Sequence, residues 1–357
     1  VMAQRLGRGR MNAQDGDGAR RPADSRARPT MSDVAALAGV SLKTVSRVIN
    51  AEPSVRPETA ERVMAAVRQL GFRRNVVAAD FARGASRREI GLVIDDMSNP
   101  FWAQAARAIE DVVAVTGRHV MTASSDFRPE REHEIIDSFV GHRLGGLIIV
   151  PVGRDHSYLA GELQLGTAIV FMDRPQWNLD ADTVLTDDYG GARSAVEHLL
   201  AHGHRRIALV AQPLRIYTMI ERHRAYRDAL ADAGLPQDPA LERLAESLDD
   251  AQAAVRELLV LPDPPTAIFS ANNRVSVGVI RGLGDDRHRV AMVGFDDVEL
   301  ADALDVPLTV VRTDAAALGR IGAELLLRRM GGWTGEPQSI TLPTALVTRG
   351  SGEIAPP

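Results

Sequence analysis

From Glu89 onward the chain repeats one pattern: a short apolar run bounded by turn residues, then a stretch with helical spacing. The runs are Ile90 to Ile94, His119 to Ala123, Gly146 to Val150, Ala168 to Met172, Arg206 to Val210, Ala267 to Ser270 and Val290 to Gly294, with helical patterns at 101–116 and 130–142 among those between them. Strands this apolar sit inside a sheet covered on both faces, and parallel neighbours need a long crossover, which the helical stretches supply. The pattern predicts an α/β fold of parallel sheets flanked by helices. Two such sheets side by side leave a cleft at their strand ends, where open α/β sheets bind ligands.

Ahead of this body, Ser32 to Asn50 reads as two short helices joined by a tight turn, a helix-turn-helix shaped for a DNA major groove. Ser32 is placed to cap the first helix, Gly39 gives the turn its permissive backbone, and Ser41 is placed to cap the second. Val34, Ala35, Ala38, Val40, Val45 and Val48 are spaced to close a small core. Leu42, Lys43, Ser46, Arg47 and Asn50 are left outward on the second helix, and with Ser41 and Thr44 at its start they are the candidate contacts to base edges and phosphates. Lys43 is the only lysine in the chain. It is either a groove-reading residue or an ordinary solvated one, and the surrounding pattern favours the first. A third helix is predicted over 57–70, with Pro57 in the first position and Gly71 at the exit. Ala60, Val63, Val67 and Leu70 line one of its faces and complete a three-helix head. Arg56 stands in the capping position, where Ser or Thr caps better, and a phosphate contact is its alternative role.

Asn75 to Gly84 is a further helical segment, too brief to be stable alone. A second copy of itself on DNA would order it, with Phe81 wedged between base steps from the minor groove; the alternative is a linker whose Phe81 packs on the body. Charge is distributed in keeping with a DNA-binding head. Residues 1–84 hold 15 Lys and Arg against 8 Asp and Glu, a balance of +7, while the remainder holds 27 against 39, a balance of −12. Phosphate contact needs cations, so the head rather than the acidic body is expected to meet nucleic acid.

A length of 357 residues allows two or three compact units. No apolar stretch approaches the roughly 20 residues that cross a bilayer, so no membrane partner is expected. There is no cysteine, hence no disulfide, which fits a reducing cytoplasm. Val1 to Arg28 lacks periodic apolar positions and reads as a disordered tail without the apolar run of a secretory signal; Met11 is an alternative translation start.

The chain resembles the lactose-repressor family of bacterial transcription regulators over essentially everything after residue 29. The resemblance is carried by Asp33-Val-Ala, Ala38-Gly-Val-Ser41, Thr44-Val-Ser-Arg-Val48 and Asn50 in the head, then by Asn99-Pro-Phe-Trp102, Phe171-Met-Asp-Arg174, Glu197-His-Leu-Leu200, Gly203-His-Arg-Arg-Ile207, Gly294-Phe-Asp-Asp297, Leu342-Pro-Thr344 and Leu346-Val-Thr-Arg-Gly350. It implies a homodimer, or a higher oligomer, whose heads bind a palindromic double-stranded operator. Hinge helices would pair in the minor groove, and a small effector would occupy the body's cleft. By position, Leu42, Lys43 and Arg47 would read bases, while Asn75, Ala78 and Phe81 belong to the hinge, with Ala78 and Phe81 at the operator centre. Phe81 departs from the family, which usually has Leu, and Asp80 replaces a neutral or basic residue.

The body is similar to periplasmic sugar-binding proteins. By position, Asn99, Phe101, Trp102, Asp173, Arg174, Arg222, Asn272 and Asp296 would lie in the cleft, where carboxylates and guanidiniums grip vicinal hydroxyls and aromatic faces cover a sugar ring. A small aldose or ribose-containing ligand is the expected effector. Asn273 stands where Asp is usual and Thr313 where the sugar binders place Gln. The implied division is a tail (1–28), a head (29–74), a hinge (75–86) and a core (87–352). Within the core, one half comprises about 87–187 with 314–335, the other 188–313 with 336–352.

His198 and His202 lie one helical turn apart beside Glu197 and His204, but the spacing alone is weak and no metal is expected. No phosphate-cradling loop, nucleophile elbow or nucleotide fingerprint is present, so neither a catalytic residue nor a cofactor is expected. The expected function is a cytoplasmic repressor. The alternatives are an activator, a regulator independent of any metabolite, and a sugar-binding transport protein, against which the helix-turn-helix speaks.

Overall fold

The computed structural model describes residues 29–50, 52, 54–73 and 89–357. The chain divides into two compact units, residues 1–85 and 86–357. In the first, helices α1 (Met31–Ala38), α2 (Leu42–Ile49) and α3 (Pro57–Leu70) enclose a core of Val34, Ala35, Ala38, Val45, Val63 and Ala66, with Val40, Val48, Val67 and Leu70 packed around it. Gly39 and Gly71 end α1 and α3 with φ of 64° and 63°, the left-handed region that glycine enters without penalty. The cap of α1 differs from expectation. Thr30, not Ser32, occupies it: the Thr30 hydroxyl accepts from the Asp33 amide at 3.3 Å while the Asp33 carboxylate accepts from the Thr30 amide at 2.7 Å. This reciprocal capping box leaves Ser32 exposed inside the first turn. Ser41 caps α2 by accepting from the Thr44 amide at 3.1 Å, and Arg56 precedes α3 without a side-chain cap. The expected tail and the expected hinge helix, including Asn75, Ala78 and Phe81, lie outside the described residues.

The second unit is built on two six-stranded sheets. In the first, β1 (Glu89–Ile94), β2 (His119–Ser124), β3 (Gly146–Ile149), β4 (Ala168–Asp173), β5 (Asp182–Thr186) and β11 (Ser339–Leu342) lie in the order β11-β5-β4-β3-β1-β2, all parallel. In the second, β6 (Ile207–Ala211), β7 (Glu242–Leu244), β8 (Ala267–Ser270), β9 (Ala291–Phe295), β10 (Thr309–Arg312) and β12 (Ala345–Val347) lie in the order β12-β10-β9-β8-β6-β7. Only β12 runs antiparallel, with Val310 opposite Val347. Both faces of each sheet are covered. On the first, α4 (Pro100–Ala114) and α11 (Ala315–Met330) bury Ile90, Ile109, Val170 and Leu326 on one side, and α5 (Pro129–Gly141) with the short α6 (Ala160–Gln164) covers Val93, Ile149 and Phe171 on the other. Helix α7 (Asp188–Ala201) with α8 (Tyr217–Asp232), and α9 (Leu248–Leu259) with α10 (Asn273–Leu283), do the same for the second. Helices α4 and α11 approach so closely that a Cβ on Gly319 would stand 2.3 Å from the Ala105 carbonyl oxygen.

One expected boundary is corrected. Residues 336–352 do not belong together: Ser339 to Leu342 pairs with the first sheet, Ser339 opposite Thr183 and Leu342 opposite Thr186, and only Ala345 to Val347 joins the second. Pro343 and Thr344 carry the chain from one sheet to the other within two residues. The segments 186–188 and 312–315 cross as well, so three strands of chain connect the halves.

Candidate DNA-reading helix and ligand cleft

Along α2 the side chains divide by what they already touch. The Ser41 hydroxyl is 2.9 Å from that of Thr44, and Asn50 donates to Ser46 at 3.4 Å. Leu42 is 48% exposed at the start of the helix. Lys43 is exposed beside it, and Arg47 extends along the surface toward Glu52 at 3.6 Å. Leu42, Lys43 and Arg47 therefore present an apolar contact and two cations to solvent, the chemistry that thymine methyls, guanine edges and phosphates take. Ser41, Thr44, Ser46 and Asn50 hold the helix ends.

In the second unit, the C-terminal ends of the parallel strands bring two buried charged clusters together. Arg174, just past β4, pairs with Asp95 beyond β1, lies 3.3 Å from Asp173 and donates to the Pro151 carbonyl at 3.2 Å. Arg222 on α8 donates to Asp188 at 2.7 Å, to the Ala271 carbonyl at 2.6 Å and to Asp296 at 3.3 Å, with its guanidinium 3.6 Å from the centroid of the Phe295 ring. Asp296 also accepts from the Thr313 hydroxyl at 2.5 Å. The halves are tied directly as well, by Asn273 donating to Asn99 at 2.7 Å and Arg274 donating to Ser98 at 2.9 Å.

These clusters hold four carboxylates against two guanidiniums, all buried. Burial penalises the charged form, and the surplus is relieved by protonation. The Asp173 carboxyl is pushed up to about 7, by burial first and by the neighbouring Asp188 and Asp95, with Arg174 pulling the other way. Asp188 is pushed up to about 6, again by burial, against the pull of Arg222. The folded protein thus binds more protons than the unfolded chain, whose aspartates titrate near 3.8. This contribution to stability is full below that value and is lost as pH rises through 6 and 7. The thermal midpoint is expected to fall between pH 5 and 8, and Asp173→Asn, which mimics the protonated group, is expected to flatten that slope. Parallel pH profiles for the two proteins would contradict the assignment.

Beside the clusters lies a cavity of about 560 Å³, walled on one side by Phe127, Pro129, Pro151 to Arg154, Arg174 and Trp177, and on the other by Arg215, Ile216, Tyr217, Ile220 and Glu221. Of the eight residues expected in the cleft, Arg174 alone lines this cavity, and Asp173, Arg222 and Asp296 stand in the charged clusters around it. Asn99 accepts from the Phe101 amide and from Asn273, and Asn272 caps α10 while donating to Gln212. Trp102 requires a correction. It stands in the inward stripe of α4 with Ala105, Ile109 and Val113 and is a core side chain, meeting Phe101 edge-on at 4.9 Å rather than facing the cavity. The walls that residue-by-residue comparison missed, along with Asp95 and Asp188, were signalled by position alone: Asp95, Phe127, Pro151, Trp177 and Tyr217 each follow the end of a parallel strand. The histidines are engaged elsewhere, His198 of α7 with Glu353 at 2.6 Å and His204, beyond the end of α7, with the Ile354 carbonyl at 2.8 Å.

Residues 30–75 match the family described as bacterial regulatory proteins, lacI family, and residues 196–352 match a periplasmic binding protein-like domain. The chain is 33% identical over 344 residues to the HTH-type transcriptional regulator CelR of Thermobifida fusca, spanning 92% of this chain and 100% of that protein. The chain belongs to the lacI family of bacterial regulatory proteins. Among solved structures, the lac repressor dimer bound to operator and the anti-inducer ONPF superposes with a TM-score of 0.75 at 27% identity, covering 91% of this chain and 99% of that one. The transcriptional regulator CelR–cellobiose complex superposes with a TM-score of 0.65 at 31% identity, covering 91% and 100%. As a lacI-family member the protein is a DNA-binding transcription regulator, with a helix-turn-helix head and a core of the periplasmic-binding-protein type. No helix among the described residues is long and apolar enough to cross a membrane.

Proposed function

We propose that the protein is a cytoplasmic, non-catalytic repressor that binds a palindromic operator as a homodimer and responds to a sugar held in the cleft. The observation that carries this reading is the joint presence in one chain of a helix offering Leu42, Lys43 and Arg47 to solvent and a charged, aromatic-walled cleft between two sheets. The head is assigned to 29–74 and the hinge to 75–86, with Asn75, Ala78 and Phe81 contacting DNA and Ala78 and Phe81 meeting the operator centre. Relatives and neighbours support the pairing of the two activities: one solved repressor dimer holds operator, and one solved regulator holds cellobiose. Asp173, Arg174, Arg222 and Asp296 supply paired donors and acceptors of the kind that grip vicinal hydroxyls.

Coupling follows from the connections between the halves. A sugar contacting both halves binds one relative orientation better than the other, and differential affinity is the only way a ligand shifts such an equilibrium. The three crossing segments are where such a change would be absorbed. The test is selection of genomic fragments on purified full-length protein, footprinting of the bound fragment, and repetition with sugars added. A symmetric protected site whose occupancy falls when one sugar is present is expected. A monomer in solution with no sequence preference would refute the reading.

A further inference from the structure

The cavity is larger and more aromatic than one sugar ring requires. Its 560 Å³ falls where pockets for drug-sized ligands fall, about 300–1,000 Å³, and a single pyranose or pentose would leave much of it to water. Arg174 marks one end, 6% exposed, its guanidinium held by Asp95, by Asp173 at 3.3 Å and by the Pro151 carbonyl at 3.2 Å.

Beyond Arg174 the walls carry Arg154, Arg215 and Glu221 among apolar side chains, and aromatic rings come from both halves: Phe127 and Trp177 from loops of the first sheet, Tyr217 from the start of α8. The loops that deliver them are strained. Among the described residues seven non-glycine positions have positive φ, and five of them, Asp126, Phe127, Asp173, Asn178 and Asp296, surround the cleft. Asp and Asn tolerate that region, but Phe127 at 55° is a genuine outlier, and backbone strain of this kind persists where the surrounding structure imposes it. Trp177 remains 40% exposed, and Arg154 at the mouth has no ion pair or hydrogen bond among the described residues.

We propose that the effector is a saccharide of two or more linked rings, one seated against Arg174 and the charged clusters, the next stacked among Trp177, Phe127 and Tyr217 with Arg154 in reach of its hydroxyls. This rests on the sugar-effector reading above and replaces the small aldose expected from sequence. Each ring face laid on an aromatic wall buries some tens of Å² of apolar surface, which corresponds to about tenfold in affinity.

Calorimetric titration of the full-length protein tests it, with glucose, galactose, xylose and ribose set against cellobiose, maltose, lactose, isomaltose, melibiose and xylobiose. At least one disaccharide is expected to bind about tenfold or more tighter than any monosaccharide. Trp177→Ala is expected to remove about tenfold of that disaccharide affinity and to lower monosaccharide affinity by clearly less, while Trp177→Phe restores most of the loss. The exposure of Trp177 makes both variants compatible with folding, which a thermal melt without sugar checks. A monosaccharide that binds as tightly as every disaccharide overturns this proposal and leaves the sugar-effector reading standing; a protein that binds neither size overturns both.

Discussion

Replacing Lys43 and Arg47 together by Ala is expected to lower affinity for the selected operator by about 30-fold to 10⁴-fold, because a good base-edge contact contributes about 1–3 kcal/mol and two are lost. Exposure makes the variant informative. Lys43 is solvated and Arg47 pairs only at 3.6 Å with an equally exposed Glu52, so neither holds the head together. Surface changes of this kind usually alter stability by no more than about 0.5 kcal/mol. The thermal midpoint and sugar binding should therefore stay where they were while anisotropy titrations against operator DNA shift. The salt dependence separates two roles for the cations. If either side chain also neutralises a phosphate, the slope of log affinity against log salt becomes shallower by about 0.9 for each such contact. Leu42→Ala should cost less and leave that slope alone. Unchanged operator affinity in the double variant would remove α2 from the interface.

How far such features were legible from residues alone depended on how local their physics is. The head was readable almost throughout, since caps, turns and a short apolar repeat operate within a few residues. The exception, Thr30 in place of Ser32, arose because a capping box needs its acid three positions on, and Asp33 stands at that distance from Thr30. The long apolar strands were readable for the same reason. Short strands such as Glu242–Leu244 and Ser339–Leu342 were not, since each is defined by the neighbour it pairs with rather than by its own pattern. The cleft was readable in its charges and poorly so in its walls. Asp173, Arg174 and Asp296 lie within family motifs and Arg222 was reached by position, and the four share the buried clusters, whereas Trp102 and Trp177 look alike as letters. Only the register of α4 sends one into the core, and only the loop beyond β4 brings the other to the cavity.

The same burial that makes the cleft specific makes Arg222 a support of the fold, and Arg222→Ala is expected to destabilise the second unit by about 3–5 kcal/mol. The magnitude follows from what remains. Asp188 and Asp296 keep their burial but lose their cation, the Ala271 carbonyl loses its donor, and the Phe295 face loses the guanidinium stacked on it. An unpaired buried carboxylate can escape only by protonation, so Asp188, already pushed up to about 6, is driven higher still. The deficit of the variant should therefore be smaller at pH 5 than at pH 8, because at low pH the proton substitutes for the missing cation. Adding Asp188→Asn to Arg222→Ala removes the stranded charge and is expected to recover part of the loss at pH 8, with a coupling energy of about 0.5–3 kcal/mol in the double-mutant cycle. Urea unfolding of the four proteins at both pH values measures all of this. A cost below about 1 kcal/mol for Arg222→Ala, equal at pH 5 and pH 8, would mean that water reaches the cluster and that its charges do not share one buried environment.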